Sequence, residues 1–279
     1  MNKSGVNMTV LFNSYYTIAQ PVYAVAVPIL LLLCLGGVIA NVLILSTIRY
    51  VGVMNSTLRL TYSLATADLW ISFILAVGLI INSYWQLVLG LPKLLGERQD
   101  CYMHVVEALR LGAIMTSVLH LLTLAINHLL ATVNPHKHKR SWLNRRTGSV
   151  IALLWLLPPG GFLLVFAILR EQTFMHPRCE AWLVTTNAFR ASMLVLIAVP
   201  LLLTGVVYIR IVSVLKSMHN HVNTRRQSFI RRRMKTVVTA LLIVGTFLIG
   251  WFPGVVWMMI TCQSCFLPLD WLFQNNPRL

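Results

Sequence analysis

The chain has 279 residues, of which 57% are hydrophobic and 11% charged, with seven Asp and Glu in all. Soluble domains carry about 25% charged residues, so a soluble globular enzyme or binding domain of this length is excluded. The net charge of +16 would suit a nucleic-acid binder, but the cations crowd three short segments between long apolar runs, and that class is excluded too.

In chain order, residues 1–21 form a polar tail with two N-glycosylation acceptors, Asn2-Lys3-Ser4 and Asn7-Met8-Thr9. No cleavable leader is evident in this tail, and the first apolar run is expected to act as its own signal-anchor. Six apolar runs follow: Val22–Ile48, Leu58–Tyr84, Val105–Thr132, Ser149–Leu169, Ser192–Leu215 and Thr236–Thr261. Each is near the roughly 20 residues that cross a bilayer core of about 30 Å. None alternates with period two, so each is predicted as a helix, the other backbone form that satisfies its own polar groups in lipid. The fold class expected is an all-α membrane protein.

Lys and Arg concentrate at Arg49 to Arg59, Lys137 to Arg146 and Arg210 to Lys235, between runs one and two, three and four, and five and six. Glu97, Asp100, Glu171, Glu180 and Asp270 lie in the alternate loops and the tail, Glu107 lies near the same end of run three, and Asp68 is inside run two. By the positive-inside rule the basic loops face the cytosol and the N-terminus lies outside, with Asn2 and Asn7 as glycan acceptors and the sequon at Asn55 unused. His136 and His138, flanked by lysines, read as solvated charge. Cys34 falls mid-membrane. Cys101, Cys179, Cys262 and Cys265 fall on the oxidising outer side, where the natural pairing is Cys101 with Cys179 and Cys262 with Cys265. No thioredoxin-like pattern surrounds the Cys-x-x-Cys, and no bound metal is expected there. No phosphate loop, paired-acid or nucleophile constellation appears, so no enzyme is expected.

Polar residues inside the runs are individually ambiguous. Asp68 at mid-membrane is costly unless paired, hydrated or protonated, and Asn41 and Ser117 are its candidate partners. Pro200 and Pro253 permit kinks. Phe247 and Trp251 sit four apart and suit plain packing as well as a switch. Taken together, in order, these residues resemble the rhodopsin-like G-protein-coupled receptors over nearly the whole chain. Gly37-Val38-Ile39-Ala40-Asn41-Val42 is similar to the family's GxxxNV and Leu64-Ala65-Thr66-Ala67-Asp68-Leu69 to its LAxAD. Trp155 stands in run four, Pro200 precedes Tyr208 by eight residues, and Phe247, Trp251, Phe252 and Pro253 match FxxxWxP.

The resemblance implies a seven-transmembrane receptor at the plasma membrane, multi-pass, that passes an extracellular ligand's signal to a heterotrimeric G protein. It implies an activation switch of Pro200, Tyr208, Phe247, Trp251 and Pro253, with Trp251 beneath the ligand. It also implies a sodium and water pocket at Asn41, Asp68 and Ser117, against a protonated Asp68 bonded to Asn41 with no ion. No other cofactor is implied.

The chain departs from the family at Asn127-His128-Leu129, where the family carries an acid, an arginine and usually a tyrosine. Ser117, eleven residues before His128, and Pro135, seven after it, support the alignment. His128 is shorter than arginine and mostly neutral near pH 7. Arg233, on helix six twenty residues before Pro253, stands where many members keep a glutamate, so the usual ionic lock is not expected. Either coupling is weak or the inactive state is poorly held. Cys101 lies 27 residues before His128, two more than the family's usual spacing.

At the ligand side, the position of the aminergic aspartate holds Arg110, which disfavours an amine. Arg110 is either the i,i+3 partner of Glu107 or the group that recognises an acidic ligand; lipid, peptide and small acid remain open. The expected organisation is an outer tail over residues 1–21, six full spans over 22–265 and a truncated seventh helix over 266–279, in which Asn276-Pro277 comes too early to be the family's NPxxY. The alternative function is a non-signalling receptor that acts as a dominant-negative or scaffold partner. A transporter is disfavoured because no internal repeat or broken helix pair is seen.

Overall fold

The structure, a computed structural model, describes residues 8–96, 99–134, 138, 140–168, 186–220 and 245. Among them no strand occurs, and the elements are all helical. Helix α1 covers Met8–Ser46 and ends in a 3-10 turn, Thr47–Tyr50. Helix α2 covers Ser56–Gly78 and continues as a π-helix, Leu79–Val88. Helix α3 is Gln99–Val133, α4 is the short Trp142–Arg145, α5 is Thr147–Ile168 and α6 is Asn187–Asn220. Five of these segments are long and apolar enough to cross a membrane. They coincide with the first five apolar runs; the sixth run and residues 266–279 lie outside the described residues.

The first helix starts earlier than the polarity of the tail suggests. It is continuous from Met8, fourteen residues before Val22. No Gly or Pro interrupts the chain between Met8 and Gln20, so nothing there stops a helix that the apolar run already nucleates. The second helix runs past Tyr84 because its hydrogen bonds widen to the π pattern. Leu89 N–H donates to the Tyr84 carbonyl at 3.0 Å, and Gly90 then turns the chain at φ 61°, a conformation open to glycine. The indole of Trp85 closes the turn by donating to the Pro92 carbonyl at 2.9 Å.

The helices differ in what they show to lipid. In α1 the apolar window is 6% buried, and Leu32 and Leu33 are about two-thirds exposed; in α3 the window is 67% buried. Among the described spans helix α3 is therefore the most buried, and its polar residues need protein partners rather than headgroups.

The described residues fall into two compact units, the first from Met1–Met54, Tyr62–Thr116 and Trp155–Ala181, the second from Asn55–Thr61, Ser117–Leu154 and Trp182–Leu279. In the first unit small residues set how closely helices approach. A Cβ at Gly112 on α3 would lie 2.5 Å from the Pro159 Cα on α5. Pro158 and Pro159 remove two backbone donors from that turn of α5, and the proline ring presses where only glycine leaves room. The indole N–H of Trp155 donates to Ser63 Oγ at 3.0 Å and ties α5 to α2. In the second unit Tyr208, Ile211 and Leu215 of α6 pack on Ala125 of α3, with Leu129 against the cluster.

Candidate functional site

Two groups of predicted residues assemble within a unit. The first is built around Asn127. At the start of α2, Asn55 accepts the Leu58 N–H on its side chain at 2.9 Å and fixes the first turn, so Thr57 stands at the helix end. At the other end of the contact, α3 brings Asn127, fully buried, to the same place. The Asn127 amide N–H donates to Thr57 Oγ1 at 2.9 Å. Its carbonyl oxygen is 2.9 Å from His138 Nε2.

Because the amide nitrogen is committed to Thr57, the amide oxygen must accept, and His138 carries its proton on Nε2 in this bond. The bond is therefore compatible with both the neutral and the cationic ring. His138 is held from behind as well: its N–H donates to the Asn134 carbonyl at 2.8 Å, and its carbonyl accepts the Ser141 hydroxyl at 2.8 Å. The expectation that His138 is merely solvated charge is thus corrected. His138 is half-buried, and buried Asn127 offers its ring an acceptor.

His128, next to Asn127, is 8% exposed and turns toward α6. Its Nδ1 lies 3.4 Å from the Tyr208 hydroxyl, a long contact, with ring centroids 6.3 Å apart. Tyr208 is itself 1% exposed. Its helix carries Pro200 in its interior, and the Pro200 carbonyl accepts the Thr204 hydroxyl at 2.7 Å. The contacts at the end of α3 thus run from an amide to a hydroxyl and an imidazole, and from an imidazole to a phenol, with no carboxylate among them.

The second group lies near the start of α3. Cys101 is disulfide-bonded. Arg110 Nε donates to Glu107 Oε2 at 2.8 Å, and its Nη2 donates to Oε1 of the same carboxylate. The pair is partly exposed among the described residues. In this arrangement each charge has a fixed counter-ion one helical turn away.

The polar residues of the implied sodium pocket are less conclusive. Asn41 donates to the Gly37 carbonyl of its own helix at 2.9 Å. Asp68 is half-buried, and its carbonyl accepts the Ser72 hydroxyl at 2.8 Å. Ser117 is fully buried and its hydroxyl has no hydrogen-bond partner among the described residues. That suits a further polar atom beside it but does not make a site. Arg233, Phe247, Trp251, Pro253, Cys179, Cys262, Cys265, Asn2 and Asn7 lie outside the described residues.

Sequence reasoning singled out Asn127 and His128 but missed Thr57 and His138. The available signal was the run of polar residues at the two helix ends, Asn55-Ser56-Thr57 and Asn127-His128.

Residues 40–274 match the family described as 7 transmembrane receptor (rhodopsin family). The chain belongs to this family. Its fold is the all-α, seven-helix receptor bundle, and the five described spans are the first five helices of the order expected. The receptor is also similar to a QRFP-like peptide receptor of Branchiostoma floridae, with 25% identity over 235 residues, which is 78% of this chain and 60% of that relative. The receptor thus spans about 60% of the length of the curated relative it matches.

Proposed function

We propose that this receptor carries the signal of an extracellular ligand across the plasma membrane to a heterotrimeric G protein, through the end of α3 that bears Asn127 and His128. The observation that carries the proposal is the Asn127 contact with Thr57 and His138. It stands where the family holds its ionic lock, and it joins α2, α3 and His138 without a carboxylate. Rhodopsin-family membership supports signalling over the non-signalling role. A second-messenger assay of the Asn127→Leu receptor, normalised to surface expression, tests it; the expected result is argued in the Discussion.

The orientation belongs to the same proposal. The N-terminal tail is extracellular, and the Arg140 to Arg146 segment is cytosolic. Asn2→Gln with Asn7→Gln is expected to abolish the glycosidase-sensitive mobility shift of the receptor, while Asn55→Gln leaves it unchanged. The side-chain oxygen of Asn55 already caps α2. A glycan found at Asn55 would mean that the orientation is inverted.

The ligand proposed is a peptide. The name of the similar lancelet receptor supports that class, and the partly exposed Glu107–Arg110 pair offers both signs of charge to a peptide's ionic groups. Arg110 at the position of the aminergic aspartate counts against a biogenic amine. For an acidic peptide agonist, Arg110→Ala is expected to weaken potency by roughly 1.5–3 kcal/mol, the range for hydrogen bonds to charged groups. Concentration–response curves measure it; unchanged potency would confine Arg110 to its pairing with Glu107.

A further inference from the structure

A second feature of the chain lies just before the fourth span. Arg140, Trp142, Arg145 and Arg146 line an open surface cavity of about 390 Å³. The three arginines are exposed, and Trp142 is 60% exposed although it is the largest apolar group of the segment.

The cavity wall is built, not frayed. Ser141 caps α4 by accepting the Asn144 N–H at 3.3 Å. Arg146 N–H donates to the Trp142 carbonyl at 2.8 Å. Buried Thr147 donates its hydroxyl to the Leu143 carbonyl at 2.8 Å, which locks the turn carrying Arg145 and Arg146 onto α4. Trp142 stands three residues from Arg145 on α4, so these two share one helical face, and Arg146 follows as the C-cap residue.

Charge balance identifies the ligand. The chain has no Asp or Glu between Glu107 and Glu171, and among the described residues none of the three guanidinium groups forms an ion pair. A compact site with three permanent cations and forked donors calls for a multiply charged anion, and phosphate oxygens match the fork. The position calls for a lipid. The apolar helix α5 begins at Thr147, directly after Arg146, and an exposed tryptophan at such a boundary sits at headgroup depth.

We infer that the cavity formed by Arg140, Trp142, Arg145 and Arg146 binds the phosphorylated headgroup of a polyanionic membrane lipid, of the phosphoinositide class, in the cytosolic leaflet. This rests on the orientation proposed above, but its test does not, because nanodiscs present both faces of the receptor.

The full chain is reconstituted in phosphatidylcholine nanodiscs containing a fluorescent phosphatidylinositol bisphosphate, and binding is read by energy transfer from a dye on the receptor. Half-saturation is expected at a lipid fraction at least tenfold lower than for phosphatidylserine. The R140A/R145A/R146A receptor is expected to lose that preference. The R140K/R145K/R146K receptor keeps the net charge and is expected to lose it several-fold. Equal binding by wild-type and triple-Lys receptors would reduce the site to charge alone and overturn the inference. So would equal half-saturation for phosphatidylserine at matched total charge. Soluble inositol trisphosphate is the third arm. Competition only at concentrations far above those of the lipid supports a headgroup site, whereas competition at equal concentration would assign the cavity to a free phosphate instead.

Discussion

Replacing Gly112 by leucine is expected to leave almost no folded receptor at the cell surface, and even Gly112→Ala should lose most of it. The added Cβ would stand 2.5 Å from the Pro159 Cα and 2.9 Å from its nitrogen, both backbone atoms of a facing helix. No rotamer change relieves a clash with backbone, so α3 and α5 must separate. Overpacking of this kind costs roughly 1–3 kcal/mol and occasionally more, and each 1.4 kcal/mol is tenfold in a population ratio. Gly37→Ala is the control. Its Cβ would meet only Ser72 Oγ, at 2.8 Å, a side-chain atom that can rotate away. The cost there is the Ser72 bond to the Asp68 carbonyl, which the gain of about 0.5–1 kcal/mol from replacing a mid-helix glycine largely offsets. Surface labelling and thermal unfolding in detergent measure both variants. Similar behaviour of the two would mean that the Gly112–Pro159 approach does not set the helix spacing.

The second large effect is functional. Asn127→Leu keeps the volume of the side chain and removes its bonds to Thr57 and His138. Polar contacts between membrane helices average about 0.6 kcal/mol, so the pair amounts to about 1.2 kcal/mol, a shift of roughly five- to tenfold in an equilibrium. If opening of the cytosolic end separates α2, α3 and the loop of His138, that shift raises agonist-free signalling. Asn127→Asp separates geometry from polarity. A carboxylate accepts from His138 as the amide does, and the Thr57 hydroxyl can turn to donate, so both contacts persist and basal signalling is expected to stay low. Second-messenger levels without agonist distinguish the three receptors.

The spans were legible because membrane crossing depends on length and polarity, both written locally. The Glu107–Arg110 pair was legible for the same reason: three residues on a helix fix the contact. The partners of Asn127 were not. Thr57 is 70 residues away, and which faces of α2 and α3 meet there depends on helix rotation, which a uniformly apolar run does not specify. His138 stands between lysines in the sequence, a setting that usually means solvent, and its bond to the buried Asn127 amide is a tertiary contact that local sequence does not specify. The Gly112–Pro159 approach was hidden likewise, since the sequence shows a glycine and a proline but not their register. The early start of α1 was missed because hydropathy marks the membrane rather than the helix.

The bonds of Asn127 to Thr57 and His138 are proposed to hold the cytosolic end of α3 in its inactive arrangement and so to restrain G-protein activation. The most direct measurement is the rate of nucleotide exchange on purified heterotrimeric G proteins, without agonist, driven by the wild-type and Asn127→Leu receptors in nanodiscs. The account predicts a low rate for the wild type and a rate roughly five- to tenfold higher for Asn127→Leu, with Asn127→Asp close to the wild type. Exchange by Asn127→Leu no faster than by the wild-type receptor, across the G-protein subtypes, would contradict it.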